Sequence, residues 1–223
     1  MNKLLSAAIA ASICVAAFSG PAFAAATTKS DTGAGLEEIV VTAEKRESTV
    51  QATPISLTAL SGDDLLAQGL KSIEDLVGSV PGISARTAGP GQTEYEMRGL
   101  ASGGGSAATV GFYVDETPLS SNAVALNGRT VIDADLFDLN HTEVLRGPQG
   151  TLYGAGSMGG TIKLVTNPPK LGEYEGAAAV DVSQTTGGST NGGGNFMLNL
   201  PLGDEVSLRV VGTGKYISGW IDR

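Results

Sequence analysis

Residues 143–162 read Glu143-Val144-Leu145-Arg146-Gly147-Pro148-Gln149-Gly150-Thr151-Leu152-Tyr153-Gly154-Ala155-Gly156-Ser157-Met158-Gly159-Gly160-Thr161-Ile162. Two β-branched, alternating runs, 142–145 and 161–166, lie either side of a Gly-rich turn, and such runs favour strands. Residues 154–159 spell G-x-G-x-x-G. A dinucleotide site needs a helix to open from that motif, so that its N-terminus holds the pyrophosphate. Here the next element reads as a strand, so the stretch is a turn between two strands of one sheet.

Upstream, the pattern is mixed. Residues 55–60 alternate as a strand does. Ser61 and Ser72 each stand three residues before an acid, Asp64 and Asp75, and ahead of apolar residues, the sign of a helix N-terminus. Two short helices in series are predicted, the first weakened at Gly69 and the second stopped by Pro81-Gly82. Tyr95 and Met97, then Val110, Phe112 and Val114, alternate as further strands, with Gly103, Gly104 and Gly105 as a flexible loop between them. Arg98 and Arg146 each end a strand just before a glycine, where a guanidinium either reaches a carboxylate, holds a loop or is solvated. Asp133, Asp135 and Asp138 read as turn or cap residues, and His141 as a polar loop or strand-entry residue. Residues 49–169 are therefore read as one α+β domain with a small mixed sheet. Residues 36–43 form a short β-prone segment with no evident hairpin partner, preceded by a mobile leader from residue 25.

Downstream of Pro169 the helix signals stop. Gly176, Ala178, Val180 and Val182, then Phe196, Leu198 and Leu200, then Val206, Leu208 and Val210, alternate with other residues in runs of about ten joined by Gly-rich turns. This dyad pattern fits the first antiparallel strands of a transmembrane β-barrel, residues 170–223; an exposed sheet of a soluble protein has the same pattern.

Composition narrows the function. The net charge of −9 argues against a nucleic-acid partner. One cysteine and one histidine exclude a zinc finger of the usual kind. No G-x-S-x-G elbow, nucleophile–base set or metal cluster is legible, so no catalytic, cofactor-binding or metal residue is assigned. Lys3, the apolar run 4–18 and the small residues before Ala24 read as a secretory signal peptide, residues 1–24.

The long 143–162 stretch, with Val80-Pro81-Gly82-Ile83, Met97-Arg98-Gly99-Leu100 and Phe112-Tyr113-Val114-Asp115, resembles the plug domain of TonB-dependent outer-membrane receptors. On that resemblance, Arg98, Gly99, Asp115, Arg146, Gly147, Pro148, Gly150, Tyr153, Gly154, Gly159 and Gly160 are plug-motif residues. Glu38, Ile39, Val40, Val41, Thr42 and Ala43 are similar to the TonB box, within a leader of residues 25–48. Two positions depart from the pattern: Glu116 where the family often has Gly, and Ala155 where it often has a longer polar or basic residue; only local changes are expected there. Family barrels have about 22 strands, so this chain reads as a fragment or a truncated product.

The resemblance implies energy-coupled uptake of a siderophore-type or other bulky nutrient, with TonB, driven by ExbB/ExbD, and outer-membrane lipid as partners. Its N-terminal segment would hang into the periplasm as an extended ribbon that adds to a sheet edge of TonB. Plug tips within 99–107 and 118–127 are the parts able to meet a ligand. The alternative is a secreted plug-like binding module or a remnant that does not transport.

Overall fold

The computed structural model describes residues 39–87, 93–101, 108–119, 134–184 and 189–218. The signal peptide, most of the leader, Glu38, the 103–105 loop and Asp133 lie outside these residues, as do most of the 118–127 tip and the turn 185–188.

The first part is α+β. In chain order it contains β1 (Val40–Val41), β2 (Ser48–Thr49), β3 (Ser56–Ser61), α1 (Gly62–Ala67), α2 (Ile73–Ser79), β4 (Ile83–Thr87), β5 (Thr93–Met97), β6 (Val110–Val114), β7 (Thr117–Pro118), β8 (Leu139–Arg146), α3 (Gly150–Tyr153) and β9 (Gly160–Thr166). Five strands form one sheet in the order β3-β8-β9-β6-β7. It is mixed as expected, because β6 and β9 run parallel while the other pairs are antiparallel. β4 and β5 form a separate hairpin.

Both predicted helices start where the serines place them. Ser61 and Ser72 accept from the N–H of Asp64 and Asp75, whose carboxylates accept back from the serine N–H groups. Helices of six and seven residues are far too short to hold alone; packing holds them. Leu65, Ile73, Leu76 and Val80 are buried against Val110, Phe112, Val144, Ile162 and Leu164 on one face of the sheet, and Tyr95 lies 4.8 Å from the Phe112 ring.

Three features differ from the sequence reading. The 36–43 segment has a hairpin partner after all: Val40 faces Thr49 and Val41 faces Ser48. The polar residues between them hid the pairing, which takes only two residues a side. The Gly-rich turn contains a helical turn, α3, ended by Gly154 at φ +75°. The run 83–87, given no strand in the sequence, is β4.

Past Pro169 the chain forms a three-stranded antiparallel meander, β10 (Glu175–Gln184), β11 (Thr190–Pro201) and β12 (Ser207–Tyr216). The register gives the dyad pattern its meaning. Ala178 faces Phe196, and Leu198 and Leu200 face Val210 and Leu208, so these side chains share one apolar face. That face is exposed: Val180, Val182, Phe196, Leu198 and Leu208 are all open. The other face carries Glu175, Asn195, Asn199, Arg209 and Lys215, and it is this face that meets the α+β part. No described helix is long and apolar enough to cross a membrane; strands cross differently.

Candidate functional site

Strand alternation sends Val144, Ile162 and Phe112 toward the helices and sends Glu143, Lys163 and Tyr113 to the opposite face. A β-bulge at Asn140 interrupts the ladder between Leu139 and His141. Leu139 therefore joins the helix-side core while His141, two residues on, joins Glu143 on the other side. His141 is thus a residue at the entry of β8, as one of its two expected readings had it, and it is buried and paired, with Nε2 2.9 Å from Glu143 Oε1.

Residues 40–43 cover this second face. Ile39 is half-buried and Val40 exposed, whereas Val41 and Ala43 are fully buried. The Thr42 N–H donates to Glu143 Oε1 at 2.6 Å. The Tyr153 hydroxyl donates to the Ala43 carbonyl at 2.8 Å. Lys45, just beyond, lies 5.5 Å from the Tyr153 ring centre and 2.9 Å from Glu116. The expectation of a loose ribbon is corrected for residues 41–43. Two small apolar side chains at alternate positions bury well, and a buried carboxylate gains an N–H donor. Burial raises the Glu143 pKa, but the His141 hydrogen bond, the Thr42 N–H and the Lys163 charge outweigh it and hold the carboxyl below its usual range. Burial, with the Glu143 and Glu116 charges, pushes the Tyr153 phenol upward, so it stays a donor at neutral pH.

Residues 146–160, with Arg98 and Gly99 against them, build the loop that carries Tyr153. Arg98 and Gly99 both take positive φ, and the Arg98 guanidinium lies against Gly147, itself at φ +110°. Arg146 holds a loop: it donates to the Pro81 carbonyl and to Thr58 Oγ1, both at 2.9 Å. The Gly147 N–H donates to the Gly159 carbonyl at 2.8 Å, which closes the loop containing Pro148, Gly150 and α3. Asp115, at φ +52°, accepts from the N–H and hydroxyl of Thr166 and so fixes the end of β9.

The sequence reading missed the seam between the α+β part and the meander. Arg209 of β12 grips Asp138 with two nitrogens, at 2.8 and 2.6 Å, and reaches Glu175 at 3.1 Å. Lys215 pairs with Asp135 at 3.1 Å. Asn199, fully buried, accepts from the Lys170 N–H and donates to the carbonyls of Lys170 and Glu173, so it clamps the connection between the two parts. Asp135 and Asp138 do hold the turn, Asp135 by accepting from the Phe137 N–H at 3.0 Å and Asp138 at φ +57°, and they are docking residues as well. The alternation that placed Arg209 and Lys215 opposite the apolar face was the available signal; which acids they meet was not legible.

A family model described as TonB-dependent Receptor Plug Domain matches residues 49–161, just over half of the chain. An iron-regulated outer membrane virulence protein of Vibrio cholerae is 31% identical over 203 residues, covering 87% of this chain and 29% of that protein. The ferripyoverdine receptor of Pseudomonas aeruginosa is 30% identical over 144 residues, covering 64% of this chain and 17% of the receptor. A crystal structure of that bacterium's ferripyoverdine receptor bound to ferripyoverdine superposes with a TM-score of 0.63 at 25% identity, over 79% of this chain and 22% of the receptor. The chain spans under a third of the length of the curated relatives it matches. With a plug-type sheet, the motif loop over it and an amphipathic meander against it, the chain belongs to the TonB-dependent receptor plug domain family.

Proposed function

We propose that the chain is the plug and first barrel strands of an outer-membrane receptor that imports an iron-carrying siderophore or a similarly bulky nutrient with energy drawn from TonB. One observation carries this reading: the meander presents its apolar face outward and docks the plug on its polar face through Arg209 and Lys215. A barrel wall between lipid and a wet lumen needs that division of faces, and a polar seam rearranges more readily than a dry apolar one. The names of the relatives, iron-regulated protein and ferripyoverdine receptor, support iron uptake as the task. Three strands leave two open edges, which lipid does not tolerate, so transport belongs to a closed barrel with further strands.

In this reading Glu38, Ile39, Val40, Val41, Thr42 and Ala43 lend their backbone to a sheet edge of TonB in the periplasm. A peptide of residues 33–45 should bind the periplasmic domain of TonB in a calorimetric titration. Ile39→Pro or Val41→Pro should weaken binding by about tenfold or more, because proline removes an N–H donor and fixes φ. Ile39→Val should change it by no more than about twofold, since both side chains favour extended backbone. Affinity unaltered by either proline would remove the segment from this role.

A further inference from the structure

Glu143 and Lys163 are direct cross-strand partners in the β8–β9 ladder. Their side chains project from the same face and are almost free of solvent. Buried opposite charges in that position are placed to pair. Instead, the Thr42 hydroxyl stands between them. It accepts from Lys163 Nζ at 2.8 Å and donates to Glu143 Oε1 at 3.2 Å. A hydroxyl offers a donor and an acceptor on one atom; a methyl there would satisfy neither charge. Lys163 keeps one direct partner, Glu116 at 2.6 Å, and Glu116 also holds Lys45 at 2.9 Å.

We propose that Glu143 and Lys163 form a two-state socket for Thr42. When it is occupied, they grip the hydroxyl and hold residues 41–43 on the sheet. When Thr42 leaves, they close on each other as a cross-strand ion pair. His141 stays on Glu143 and Glu116 on Lys163, and the new pair replaces the hydroxyl that each charge has lost, which is what makes release of the segment accessible. Glu116 sets the balance by drawing the Lys163 ammonium away from Glu143 and tethering Lys45, which favours the docked state. The geometry stands by itself; its consequence, control over when residues 39–43 become available, rests on the reading of that segment as the TonB-binding element.

Amide hydrogen exchange of the intact chain, without any partner, tests the socket on a peptide covering residues 40–45. Thr42→Val should speed exchange by about tenfold or more, and Thr42→Ser should stay within about threefold of the parent. Glu116→Gln should speed it by roughly threefold or more. Lys163→Met should slow it, because the vacated socket then leaves Glu143 with His141 alone and no ammonium to close on. A residue that acted only as a docking contact would give the opposite sign. Faster exchange in Lys163→Met, or no change in Thr42→Val, overturns the proposal. Exchange in residues 160–166 reports whether each variant keeps its fold. Should Lys163→Met lose it, Glu116→Gln, whose side chain is half exposed, decides the matter: parental exchange there refutes the socket. A socket that behaves as described while the 33–45 peptide ignores TonB would sink the TonB reading alone.

Discussion

Replacing Arg209 with methionine should destabilise the intact protein in detergent micelles by about 3–5 kcal/mol, the cost of stranding a buried charge partner. Arg209 and Asp138 are both almost wholly buried, and the guanidinium meets the carboxylate with two nitrogens. Methionine keeps the length of the stem but leaves Asp138 with the Asn167 amide as its one hydrogen-bond donor among the described residues. The double variant Arg209→Met with Asp138→Asn should recover part of the loss, since the stranded charge is gone. Acid provides a second readout. Burial raises the Asp138 pKa, but the Arg209 hydrogen bonds, the Asn167 amide and the nearby positive charges bring it below the usual carboxylate range. A depressed pKa stabilises the fold above the unfolded value of about 3.9, and that stabilisation is lost as pH falls through the folded value. Arg209→Met should remove this acid-sensitive share. Unfolding midpoints in denaturant, measured at neutral pH and at about pH 3, check both points; an unchanged neutral midpoint would mean that the seam is not held by this pair.

The second large effect concerns a single glycine of the motif. A Cβ on Gly160 would collide with the Leu145 carbonyl and the Met97 sulfur. Both are fixed, one in the β8 ladder and the other in the core. Gly160→Val should therefore cost about 3 kcal/mol or more, above the usual range for overpacking, because backbone cannot move aside. Gly150, in the same motif, has open space for 4 Å around the position a Cβ would take, and no positive φ. Gly150→Ala should stay within about 0.5 kcal/mol of the parent. Thermal unfolding of the two variants side by side separates a steric requirement from a mere sequence signature; equal losses would refute that distinction.

That contrast also marks how far the residues could be read in advance. Alternation and serine caps are local signals, and they placed α1, α2, β5, β6, β8 and β9 and the division of faces in the meander. The short β1–β2 hairpin escaped because two residue pairs leave no periodicity to detect. The docking of Val41 and Ala43 escaped because it depends on a carboxylate about a hundred residues away in the chain, and nothing local links Thr42 to Glu143. Even so, a trace was present. Glu143 is followed by Val144, and Lys163 stands between Ile162 and Leu164, an alternation that places the charges on the face opposite the core. Glu116 was read as a local departure in a loop, yet it joins Lys163 to Lys45. Long-range polar partners of this kind are set by tertiary register, which a linear pattern does not contain.

On the function proposed above, residues 38–43 couple a plug-bearing outer-membrane receptor to TonB. Val40 is half exposed even with the segment docked, so a cysteine there is reachable. The most direct test is disulfide cross-linking in living cells between Val40→Cys in the receptor and a cysteine placed in the edge strand of TonB's periplasmic domain. A cross-linked species should form, and it should disappear when Val41→Pro is added. A receptor inserted in the outer membrane that never cross-links, or that cross-links equally well with the proline present, would contradict it.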